Sequence, residues 1–232
     1  MKKLISTLAI GLLTAACGGE ETTSDARDYY DGAKSAALGA STNKATCATC
    51  HAADGAAGYP GNTFEDIAYR SSYKGGDADL LGGVNACVTG WMGGTALTAT
   101  SESYLKIVEF MQSISDSAVT DPNALAPEVL ADEAAYEAAY AGGDATRGQA
   151  LYGTYCGRCH DAALVVGAVT SPPKAGLSSR TVGRIAQQVR TAGPPPSGMS
   201  DASDTTPGPM PFFEMKDLSA ADLKDIIAHI KG

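Results

Sequence analysis

Two short stretches concentrate the reactive side chains of this 232-residue chain: Cys47-Ala48-Thr49-Cys50-His51 and Cys156-Gly157-Arg158-Cys159-His160. Both read CxxCH. Two thiols at this spacing can add to the two vinyl groups of a haem, and the adjoining His then lies beneath the iron as proximal ligand. A thioredoxin-like dithiol would explain one CxxC, but it gives the following His no task and lacks a βαβ setting. Structural zinc on the four Cys leaves both His residues unexplained. The chain has six Cys in all, so a disulfide framework is a third alternative if the protein is exported. Two CxxCH motifs in one chain favour two covalently bound haems c. Cys47, Cys50, Cys156 and Cys159 would attach them, with His51 and His160 on the irons.

The sixth iron position decides the chemistry. The chain has three His, the two in the motifs and His229, so two bis-His haems cannot be built from it. His229 falls off the stripe Leu223, Ile226, Ile227, Ile230 and reads as a solvated helix residue. Met is the alternative, a soft thioether that stabilises reduced iron. In the second half the candidates are Met199, Met210 and Met215, of which Met215 reads as packing beneath the last helix. Residues 194–211 hold six of the 11 Pro, a stiff segment suited to holding a ligand over a haem face. In the first half the candidates are Met92, Met111 and Cys87. Met111 lies on an apolar helix face and reads as core. Met92 precedes Ser101 by nine positions, as Met210 precedes Ser219 by nine, and this repeat favours Met92. Cys87 has three readings: a small buried residue, a thiolate ligand of the first haem, or half of an intermolecular disulfide.

The elements that must position these residues are short helices. Val, Ile and Thr form no regular alternation, and 27 Gly with abundant Ala argue for helices joined by Gly-rich loops, not a sandwich or barrel. Asp144 to Tyr155 predicts a helix delivering the second motif. Leu218-Ser219-Ala220-Ala221-Asp222 predicts a capped helix start, with Leu218 and Leu223 as a hydrophobic staple. Leu223, Ile226, Ile227 and Ile230 then recur on one buried face. A helix from near Ser101 puts Tyr104, Ile107, Val108, Met111 and Ile114 on one side. Glu128 to Ala141 predicts a connecting helix stopped at Gly142-Gly143.

The N-terminus reads as an export signal. Lys2 and Lys3 precede an apolar run from Leu4 to Leu13, too short to remain as a membrane span, and small residues follow. Leu13-Thr14-Ala15-Ala16-Cys17 resembles a bacterial lipobox, which implies lipidation of Cys17. The formal charge is −9, with pI near 4.7, and removal of residues 1–16 with their two Lys leaves −11. So acidic a surface excludes a general nucleic-acid binder and favours a redox partner with a basic face.

Taken together, these features resemble class I cytochrome c domains, twice over. The resemblance rests on Gly148-Gln149-Ala150-Leu151-Tyr152 before the second motif, Met210-Pro211-Phe212-Phe213 before the last helix, and the motif and final helix of the first half. It implies an all-α fold of two tandem cytochrome c-like domains. The expected organisation is a signal peptide at 1–16, a flexible tether at 17–30, domain 1 at 31–116, a linker with a helix at 117–143, and domain 2 at 144–232. It also implies Met210 as a distal ligand, with Met92 its counterpart. The functional expectation is a diheme electron carrier, lipid-anchored at Cys17 in the bacterial envelope and facing the periplasm, with the outer membrane favoured by Gly18. The first half also resembles thiosulfate dehydrogenases and related sulfur-oxidising cytochromes, in which Cys87 would serve the first haem. A diheme peroxidase is the weaker third expectation.

Overall fold

The computed structural model describes residues 21–61, 63–73, 78–192 and 210–232. The expected signal segment, the lipidation candidate Cys17 and Met199 lie outside the described residues. The described chain is mostly helical, as the composition implies. The first half runs through α1 (Glu21–Asp28), α2 (Ala33–Ala36), α3 (Cys47–Cys50), α4 (Leu80–Asn85) and α5 (Glu102–Ser113). Helix α4 passes directly into a π-helical turn, Ala86–Trp91. The second half holds α6 (Glu133–Tyr140), α7 (Ala145–Tyr155), α8 (Gly157–His160), a two-residue hairpin β1 (Val165–Val166) and β2 (Val169–Thr170), then α9 (Lys174–Ser178), α10 (Val182–Thr191) and α11 (Ala220–Lys231). No helix among the described residues is long and apolar enough to cross a membrane.

The helix starts follow their caps. The Ser101 hydroxyl accepts from the Tyr104 N–H, Ser219 from Asp222, Asp144 from Thr146 and Arg147, and Asp132 from Ala135. Each satisfies backbone donors that the first helical turn leaves unpaired. Leu218 and Leu223 are both buried at the start of α11, as a staple requires.

Among the described residues two hydrophobic cores form. The second gathers Tyr136 and Tyr140 from α6, Tyr152 from α7, Ile185, Ala186 and Val189 from α10, Phe213, and the Leu223, Ile226, Ile227, Ile230 face of α11. Its centre is the crossing of α7 and α11. Gly148 makes that crossing possible: a Cβ there would lie 1.9 Å from the Asp225 carbonyl oxygen. The first core joins Ala26, Tyr29 and Tyr30 to Phe64, Ile67, Tyr73 and the α5 residues Ile107, Phe110 and Met111.

Three expectations need correction. Residues 21–30 are not a tether. Helix α1 packs on α5, and Tyr30 stacks on Phe110 with ring centroids 4.5 Å apart. Ala26, Tyr29 and Tyr30 at i, i+3 and i+4 form the apolar face responsible. Helix α6, assigned to a linker, belongs to the second core, because Tyr136 and Tyr140 are fully buried against α10. Met215, expected to pack beneath the last helix, is 44% exposed.

The halves also touch. Lys44 N–H donates to the Val165 carbonyl at 2.8 Å, the Thr42 hydroxyl to the Gly167 carbonyl at 2.9 Å, and Gly167 N–H to the buried Asn43 Oδ1 at 2.9 Å. The segment before the first motif is thereby moored to the hairpin after the second.

Candidate haem-binding sites

The first CxxC forms α3, one helical turn closed by a reciprocal capping box between Thr46 and Thr49. Ser35, fully buried, accepts from the Cys47 N–H at 2.9 Å and donates to its sulfur at 3.3 Å. The chain leaves the turn at His51 in an extended conformation, and the Tyr30 hydroxyl donates to the His51 carbonyl at 2.6 Å. The imidazole stacks on Phe64 with centroids 4.5 Å apart. Gly61 crosses over it so closely that a Cβ would meet the ring at 2.5 Å. Sequence reasoning missed both of these contacts.

These residues line a cavity of about 500 Å³ whose other walls are largely apolar. Its lining includes Met92, which is 5% exposed, together with Trp91, Cys87 and Met111. Cys87 lies within the π-helical turn and Met92 immediately follows it. Such wide turns recur at functional sites because the extra residue re-aims neighbouring side chains. Met111 is both a core residue and part of the cavity wall. The second half contributes Val166, Thr191, Ala192, Pro211, Phe212 and Glu214 to the same cavity, a sharing that the sequence gives no sign of.

In the second half, α7 delivers Cys156 at its C-terminus and α8 carries Cys159 and His160. His160 is buried, and its Nδ1 lies 2.7 Å from the Pro172 carbonyl oxygen. A carbonyl can only accept, so Nδ1 carries the proton and Nε2 presents its lone pair, the tautomer a metal ligand needs. Met210 shares a cavity of about 70 Å³ with Cys156, Cys159 and His160. The chain after Met210 is fixed to α10: Phe213 N–H donates to the Val189 carbonyl at 2.7 Å, and the fully buried Arg190 donates to the Phe213 and Leu218 carbonyls. His229, read as solvated, is half-buried against the Tyr152 ring at 5.5 Å.

The thiols decide between chemistries. Cys47, Cys50, Cys156 and Cys159 form no disulfide. Burial pushes the Cys47 thiol up to about 11 and Cys156 up to about 12, and is the main cause of the upward shifts at Cys50 and Cys159. A thiol–disulfide exchange motif works through a depressed thiol pKa, the opposite direction. Among the described residues no three His, Cys, Asp or Glu converge as in a zinc site. The residues do fit covalently attached haem. The first site offers two thiols, an imidazole and a thioether around an apolar cavity of cofactor size. At the second the fit rests on the donor set and the His160 tautomer.

Comparison with known proteins agrees for the second half. Residues 143–230 match the family model described as cytochrome c oxidase, cbb3-type, subunit III. No curated protein matches the chain. Among solved structures, thiosulfate dehydrogenase (TsdBA) from Marichromatium purpuratum aligns at 17% identity and a TM-score of 0.35, over 90% of this chain and 45% of that one. The chain thus spans less than half of that structure's length, and so loose a likeness carries no argument. The family match and the geometry of Cys156, Cys159 and His160 together support a cytochrome c-type domain at residues 143–230, a domain type that carries covalently bound haem c.

Proposed function

We propose that the chain is a diheme c-type cytochrome relaying electrons between redox partners at the periplasmic face of a bacterial envelope, anchored by a lipid on Cys17. The observation that carries this reading is that each CxxCH segment lines a cavity also lined by a Met: Met92 for the first, Met210 for the second. Haem iron supplies a reversible one-electron couple. The protein supplies the rest. Cys47, Cys50, Cys156 and Cys159 would tether the haems, with His51 and His160 as ligands and Met92 and Met210 as their partners. The apolar walls keep water away. A haem held by a His and a Met would have no open position for a substrate, which favours outer-sphere electron transfer. The mature charge of −11 favours a partner with a basic docking face, through contacts that weaken with salt.

The test is a haem count by pyridine haemochrome together with a near-infrared spectrum of the oxidised protein. Two haems per chain and two Met-to-iron bands are expected, with Met92→Ala and Met210→Ala each removing one. One haem per chain, or bands that survive both substitutions, overturns the assignment.

One observation favours a second reading. Cys87 lines the first cavity beside Met92, where a thiolate could ligate the first haem of an enzyme oxidising sulfur compounds. Replacing Cys87 by Ser separates the two. Unchanged spectra and potentials at both haems leave the carrier, and a changed ligand field at one haem favours the enzyme.

A further inference from the structure

We propose that Arg158 is a cation shared by the two haem-attachment segments, pinning one to the other and raising the reduction potential of both haems. The proposal rests on the two-haem reading above and deepens it. Arg158 stands between Cys156 and Cys159, yet its side chain leaves its own half of the molecule. Its Nη1 donates to the Thr49 carbonyl at 3.4 Å, in the middle of the other CxxCH motif. Its guanidinium carbon sits 3.7 Å from the centroid of the Tyr59 ring, also in the first half, a cation–π distance. Thr49 and Cys50 line the same small cavity as Cys156 and Cys159. The two motifs, 109 positions apart in sequence, therefore meet at this side chain.

Among the described residues Arg158 forms no ion pair with a carboxylate, and its partners, a peptide carbonyl and a ring face, leave its charge in place. That charge stands at the junction of the motifs: Thr49, whose carbonyl it meets, adjoins Cys50, and Arg158 itself adjoins Cys159. A site holding oxidised iron carries one positive charge more than the same site reduced. A fixed cation nearby disfavours the oxidised form and shifts the potential upward, with a reach limited by screening at an exposed position. Arg158 is thus a positioning residue for the junction and an electrostatic one for both centres.

The test is an EPR-monitored redox titration of the intact holoprotein at low ionic strength, following the two ferric signals separately, with a haem count on every sample. Arg158 is exposed, so Arg158→Gln leaves the fold and the CxxCH spacing intact. Both midpoint potentials are expected to shift negative in Arg158→Gln, and Arg158→Lys is expected to restore both toward wild type. Two haems with only one potential moving, or with neither moving, overturns the proposal while leaving the two-haem reading standing. A Lys variant that falls as far as Gln overturns it too, because charge is then not the cause. A count of one haem per chain overturns the two-haem reading, and the proposal with it.

Discussion

Helix α7 contains two glycines whose replacement by Ala should move stability in opposite directions. In an exposed helix interior, Gly→Ala stabilises by roughly 0.8–1 kcal/mol, because Ala loses less backbone entropy on folding. At Gly153 a Cβ would meet nothing within 4 Å, so Gly153→Ala should gain most of that amount, reduced somewhat by its place in the last turn. At Gly148 the new Cβ would lie 1.9 Å from the Asp225 oxygen, 2.4 Å from its carbonyl carbon and 3.0 Å from the His229 Cβ. The first two are backbone atoms of α11 and cannot rotate away, so the helices must separate. Overpacking of this kind costs about 1–3 kcal/mol, which the propensity gain offsets only in part. A 1.9 Å contact with backbone puts the cost at the upper end of that range, so Gly148→Ala should destabilise by roughly 2 kcal/mol. Urea unfolding of the holoprotein, followed by far-ultraviolet circular dichroism, reads both variants at unchanged m-value. Because α7 delivers Cys156, the Gly148 variant should also weaken the Met-to-iron band proposed for Met210. Equal signs for the two variants would refute the claim that the α7–α11 crossing sets the position of the second motif.

Three further outcomes follow from the geometry. Arg190→Met should cost about 3–5 kcal/mol, because Glu128 and the Tyr140 hydroxyl would lose the buried cation they face, together with three carbonyl partners; denaturant unfolding measures it. Ser219→Ala should cost about 1 kcal/mol through loss of the α11 cap, and Ser219→Asp should recover most of it. Burial first, then the Lys174 charge, hold the His229 pKa below 6.5. The folded state then binds fewer protons there than the unfolded chain, so this contribution to stability is present above pH 6.5 and lost as pH falls through the folded pKa. Between pH 7 and about pH 5, His229→Gln should lose less stability than wild type; melting curves across that window check it.

The two CxxCH segments were legible because the pattern is local: spacing along the chain alone puts two thiols and an imidazole within five residues. The caps at Ser101, Asp144 and Ser219 and the α11 stripe were legible for the same reason, since each works within about one helical turn. The packing of α1 against α5 was also written locally, in Ala26, Tyr29 and Tyr30. Only its place after the expected export signal makes this segment read as a tether. Met215 was misplaced because burial near a helix start depends on what packs opposite, which the sequence of that segment does not contain.

The sequence by itself determined the two CxxCH segments and the helical class, both properties of short-range spacing and composition. The tertiary structure alone decided which side chains meet across the halves. Arg158 rests on Tyr59 and Thr49, Asn43 holds Gly167, and Thr191, Pro211 and Phe212 complete the wall of the first cavity. Those contacts join residues about a hundred positions apart. No periodicity or motif encodes them, because they arise only when two separately packed cores bury surface against each other and each polar group must find a partner at the seam.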